Sequence, residues 1–85
     1  MKKPEDIGQI PVILDLRGLK CPLPVLKTRA ALRKLPAGAE LIVRTTDPMS
    51  VIDVPHLLSQ TGDRLVSQMA EGAGTVFRIE KGGGV

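Results

Sequence analysis

The amino-acid sequence predicts an α/β (α+β) two-layer sandwich, with a four-stranded mixed sheet carrying two helices on one face in the order β-α-β-α-β-β. Three observations predict it. Short alternating apolar runs recur at Ile10–Leu16, Glu40–Thr46, Arg64–Ala70 and Thr75–Glu80, the period of half-buried strands. Two longer stretches between them carry apolar residues at helical spacing, and each such helix buries one stripe by lying on a common sheet face. The last two runs are joined by Glu71-Gly72-Ala73-Gly74, so the chain closes on an antiparallel hairpin.

The elements follow in order. Lys2–Gly8 reads as a loose arm, placing the boundaries at an arm over 1–9, a domain over 10–81 and a flexible glycine tail over 82–85. Val12, Leu14 and Leu16 share one side of the first strand, and Pro11 directs that strand to a sheet edge or delays its start. The first helix is predicted over about Pro22–Leu35. Val25, Thr28, Ala31, Leu32 and Leu35 fall within an arc of about 120° on it, wide enough for a core face. Pro36-Ala37-Gly38 stops it, with Gly38 suited to a left-handed turn. In the second strand Leu41, Val43 and Thr45 face one way. Ser50 and Asp53 have the outline of a capping box for a second helix reaching about Thr61. Pro55 demands either that this helix start near Asp53 or that it kink.

Composition narrows the function classes. Eighty-five residues, 42% hydrophobic and 25% charged, make one small globular domain with a modest core. No apolar run approaches a membrane span, and Met1-Lys2-Lys3-Pro4 lacks the apolar block of a signal peptide, so the expected address is cytoplasmic, with no membrane partner. The net charge of +3 is local: Leu16–Ala39 holds six basic residues and no acidic one. Lys27 and Lys34 lie on one flank of the first helix, and Arg29 and Arg33, one turn apart, on the other.

That positive segment surrounds Cys21, the single cysteine, in Gly18-Leu19-Lys20-Cys21-Pro22-Leu23-Pro24. Proline suits the first turn of a helix, so Cys21 is predicted at or beside the helix start, with Leu23 and Val25 supplying the free N–H groups. The positive helix end and Lys20 predict a thiol pKa below the ordinary value. A thioredoxin-type cycle needs a second cysteine, a cysteine hydrolase needs a base beside the thiol, and zinc needs about four ligands. One Cys and one His, His56, fall short of the first and the last, and His56 is read as a surface residue away from Cys21. Thiol exchange or sulfur transfer with another protein remains, against the plainer alternative of an inert buried cysteine.

Asp15-x-Arg17-Gly18-Leu19-x-Cys21-Pro22-x-Pro24, Gly38 before the second strand and then Asp47-Pro48 together resemble the TusA/SirA-like family of sulfur carriers, over about Val12 to Gly82. The resemblance implies a βαβαββ sandwich like the C-terminal domain of a translation initiation factor. It also implies a sulfurtransferase acting as a persulfide relay. Cys21 would take sulfane sulfur from a cysteine desulfurase or rhodanese-like donor and pass it to an acceptor protein. Such acceptors serve tRNA thiolation, sulfur oxidation or molybdenum-cofactor maturation. Pro22 and Pro24 would shape the cysteine turn, Asp15 and Gly18 lead into it, and Asp47 cap or orient the loop. Lys20, Arg29 and Arg33 would dock on an acidic donor. No cofactor and no metal are implied. Leu57-Leu58 stands where many members carry an aromatic-cysteine pair.

Three rival readings stand beside this one. An isoelectric point of about 9.4 and a basic helix suit nucleic acid, although one phenylalanine and no Tyr or Trp leave no stacking platform, and no direct nucleic-acid contact is expected. The Gly82-Gly83-Gly84 tail would suit a thiocarboxylate carrier, but Val85 follows it. The third is a non-catalytic regulatory module.

Overall fold

A computed structural model describes residues 11–82. The expected arm and residues 83–85 of the expected tail lie outside the described residues. The elements are β1 (Val12–Leu16), α1 (Leu23–Arg33), β2 (Glu40–Thr45), α2 (Ser50–Thr61), β3 (Arg64–Glu71) and β4 (Gly74–Glu80). The sheet order is β1-β2-β4-β3, with β1 parallel to β2 and the other pairs antiparallel. The predicted mixed sheet with a closing hairpin is therefore the observed one. β1 is an edge strand beginning directly after Pro11, where a missing N–H costs the ladder least.

The core follows from the strand period. Leu41, Val43, Phe77 and Ile79 are fully buried, and they meet Leu32 from α1 and Val54 and Leu58 from α2. α1 lies over β1 and β2, α2 over β3, and the helices pack on each other. The opposite sheet face is open and laced with ion pairs, Arg44–Glu71, Arg64–Glu80 and Arg78–Glu40. In β3, Val66 is an extra residue between the Leu65–Ile79 and Ser67–Arg78 pairs, a bulge in the edge strand.

Four local expectations are corrected. α1 ends at Arg33 rather than Leu35, because Lys34 and Leu35 donate to the carbonyls three residues back and the Lys81 ammonium takes the Leu32 carbonyl at 2.9 Å. The buried face of α1 also includes Pro24. α2 begins at Ser50 and runs through Pro55, so a start near Asp53 does not occur. No capping box forms there. Met49 is the N-cap without a side-chain bond, and the Ser50 hydroxyl is buried, donating to the Asp47 carbonyl at 2.6 Å and lying 2.6 Å from the Thr45 hydroxyl.

Two glycines answer backbone demands. Gly18 has φ 89°, the left-handed region. Gly74 lies against β2 so closely that a Cβ on it would sit 2.0 Å from the Thr45 carbonyl oxygen.

Thr28 gives a stability test. Its side chain is fully buried in α1 and its hydroxyl has no hydrogen-bond partner among the described residues. Thr28→Val keeps shape and β-branching while removing that hydroxyl, so stability is expected to rise by about 1 kcal/mol. For a domain of this size that is a melting-temperature gain of about 4–8 °C in a thermal scan.

Candidate functional site

The site is built where two strand–helix junctions meet. After β1 the chain turns through Arg17–Lys20, with Leu19 N–H donating to the Leu16 carbonyl at 3.2 Å and Gly18 N–H to the Thr46 hydroxyl at 2.8 Å. The second contact ties the β1–α1 turn to the end of β2. Leu23 N–H then donates to the Lys20 carbonyl at 2.8 Å, and α1 opens with Leu26 N–H donating to the Pro22 carbonyl at 3.1 Å. Pro22 is the N-cap, so Cys21 is the residue just before it. Its thiol is free and exposed, and the reading of it as an inert buried cysteine is set aside.

Two carboxylates arrive from the β2–α2 junction. Asp47 accepts the Cys21 backbone N–H with one oxygen and Met49 N–H with the other, at 3.1 Å. It thus bridges the two junctions. Asp53, in the first turn of α2, lies with Oδ2 3.4 Å from Cys21 Sγ and accepts the thiol proton's hydrogen bond. These contacts reverse the expected titration. The thiol pKa is pushed up, first by the hydrogen bond to Asp53, then by desolvation, then by the negative charges of Asp53 and Asp47. The expectation of a lowered pKa counted the helix end and Lys20. It missed two acids, 26 and 32 residues along the chain, that the fold brings back. It also credited Leu23 N–H to the sulfur, whereas the Lys20 carbonyl consumes it.

The other predicted residues occupy distinct places. Asp15 makes a two-point contact with the Arg17 guanidinium, at 2.8 and 2.7 Å, and accepts Arg17 N–H. Those bonds hold its carboxyl well below the usual carboxylate range, and among the described residues none joins it to Cys21. Pro24 is buried beneath the turn, while Pro22 and Lys20 are exposed. Arg29 and Arg33 are exposed on α1 and, among the described residues, form no ion pair. Arg29 also lines a groove of about 190 Å³ between the helices, together with Pro22, Val25, Asp53, His56 and Leu57. His56 is exposed, as expected, and among the described residues makes no hydrogen bond to Cys21.

Asp53 is the residue that sequence reasoning missed. Its position three after Ser50 read as a helix cap; with Met49 at the cap, its carboxylate is released to the sulfur.

A two-layer sandwich with a free, exposed thiol just ahead of its first helix defines a small thiol-presenting α/β domain. Residues 12–81 match the family model described as "Sulfurtransferase TusA", and the chain belongs to that family. It is 41% identical over 68 residues to the sulfur carrier protein TusA of Allochromatium vinosum, covering 80% of this chain and 90% of that one. To the sulfur carrier protein TusA of Pseudomonas savastanoi pv. phaseolicola it is 35% identical over 81 residues, covering 95% and 96%. The crystal structure of a SirA-like protein from Desulfitobacterium hafniense superposes with a TM-score of 0.74 over 84% of this chain and 97% of that one, at 22% identity, and it shares the fold. A sulfur-carrier role follows from the family, and with it a need for donor and acceptor partners.

Proposed function

We propose that this chain takes sulfane sulfur onto Cys21 as a persulfide from a donor such as a cysteine desulfurase or rhodanese, and relays it to an acceptor protein in tRNA thiolation, cofactor or sulfur metabolism. The observation that carries the proposal is the exposed, unpaired Cys21 thiol at the head of α1 in a TusA-family chain. Its sulfur attacks the outer sulfur of the donor persulfide, the donor S–S bond breaks, and Cys21 keeps the transferred sulfur. With no second cysteine in the chain, no internal thiol can discharge it. The protein is thus a sulfurtransferase in the sense of a relay, with residues 10–81 as the carrier domain. Asp47 and Gly18 shape its site by tying the two junctions together. We assign the work to the cytoplasm, whose reducing conditions keep a lone thiol such as Cys21 free. Incubation with a cysteine desulfurase and cysteine is expected to add the mass of one sulfur, removable by a reductant; no gain in mass would defeat the proposal.

Docking supplies a second test. Arg29 and Arg33 stand one turn apart on α1, exposed and, among the described residues, free of ion pairs, so an acidic donor surface meets both at once. Arg29→Glu with Arg33→Glu is expected to slow loading about tenfold at low salt, with the difference shrinking as salt is raised. Loading rates across a salt series check this, and an unchanged rate at low salt removes the two arginines from the docking surface.

A further inference from the structure

We propose that Asp53 is the proton acceptor for Cys21 during sulfur transfer, so that the thiol is activated within the docked complex rather than by ionising beforehand in solution. The inference rests on the carrier reading of Cys21 and adds to it a second reacting side chain.

The geometry carries it. Attack on the donor persulfide needs the thiolate, so the Sγ–H proton must leave. Among the described residues the one side chain hydrogen-bonded to Sγ is Asp53, with Oδ2 at 3.4 Å. Asp47 spends its oxygens on the backbone N–H groups of Cys21 and Met49. Lys20 is a donor. Arg29 and His56 share with Asp53 the groove between the helices but make no hydrogen bond to the sulfur. The free protein rests as the thiol, its ionisation disfavoured by the neighbouring carboxylates. A docked partner would strip water from the exposed site, which leaves the proton no route to solvent. Passing the proton along the existing Sγ–Oδ2 hydrogen bond leaves the net charge of the pair unchanged, so no additional charge has to be buried when the partner docks.

The step balances without an external oxidant or reductant. The Sγ–H bond breaks and its proton passes to Asp53 Oδ2. The Sγ electron pair forms a bond to the outer sulfur of the donor persulfide, and the donor S–S bond breaks, its electron pair leaving on the inner sulfur. Asp53 then returns its proton to that thiolate. One sulfur has moved, the donor has regained a thiol, and Asp53 is a carboxylate again.

The test is single-turnover loading from a persulfide-charged cysteine desulfurase, followed from about pH 6 to about pH 9, with iodoacetamide alkylation of the free protein in parallel. In the wild type, loading is expected to vary little below pH 8, because the proton stays within the Cys21–Asp53 pair. Asp53→Asn should load about a hundredfold more slowly at pH 7, rise with pH as free thiolate accumulates, and approach the wild type at the alkaline end. Its alkylation should be faster than wild type at pH 7, because a negative neighbour of the thiol has been removed. Damage to the fold would slow loading at every pH, so recovery of the wild-type rate at the alkaline end, with an unchanged thermal unfolding midpoint, marks the loss of a proton acceptor rather than of the scaffold. Asp53→Ser gives the same readouts with a shorter neutral side chain, and Asp53→Glu should restore part of the rate. His56→Gln should keep the wild-type profile. Equal loading of wild type and Asp53→Asn at pH 7, or a profile that follows His56, overturns the role of Asp53 while leaving the carrier reading intact. Failure of the wild type itself to load overturns the carrier reading instead.

Discussion

Cys21→Ser is expected to gain no sulfur at all when incubated with a charged cysteine desulfurase, while the wild type gains one. The nucleophile for persulfide transfer is a thiolate, and a serine hydroxyl does not ionise to a useful extent near neutral pH. The fold should be indifferent to the exchange. Cys21 is exposed, and the one side-chain hydrogen bond its sulfur makes among the described residues, to Asp53, is one that a hydroxyl can also make. Thermal unfolding of the variant should therefore agree with wild type to within about 0.5 kcal/mol. A variant that still takes up one sulfur on a folded domain would remove Cys21 from the chemistry.

Phe77→Ala should have the largest effect on the scaffold, a loss of about 3–5 kcal/mol. Phe77 is the chain's one aromatic residue and is fully buried in β4, paired with Val43 of β2 and Gln68 of β3. Truncation opens a cavity under both helices at once. Domains of this kind have only about 5–15 kcal/mol of stability in total, so the variant should unfold at a much lower denaturant midpoint. Function should fall with it, since the site depends on the starts of α1 and α2 being held together: Asp47 and Asp53 reach Cys21 only while both helices sit on the sheet. A loss below about 1 kcal/mol would mean that Phe77 is not central to the core.

The fold was legible because its signals are local. The alternation of Leu41, Val43 and Thr45 identified the buried face of β2, and Gly38 and Gly62 both adopt the left-handed geometry that ends a helix or its loop. The site was legible only in part, and chain separation sets the limit. Cys21 and its prolines announce themselves in seven consecutive residues, Gly18 to Pro24. The partners of the sulfur come from beyond β2, where Asp53 carried a plausible local explanation as a helix cap. Positive charge near Cys21 was read from neighbours in sequence, whereas the thiol responds to neighbours in space, and the nearest of those are acids. The bulge at Val66 and the orphaned hydroxyl of Thr28 arise from register and packing, which no short window of sequence contains.

The most direct test is a relay followed with isotopically heavy sulfur. The protein is charged from a desulfurase supplied with heavy cysteine, freed of donor, and mixed with an unlabelled acceptor thiol while peptide masses are read over time. The heavy atom should appear first on the peptide containing Cys21 and then pass to the acceptor, leaving an unmodified thiol behind. Heavy sulfur that never reaches Cys21, or that reaches the acceptor equally well through Cys21→Ser, would contradict the account.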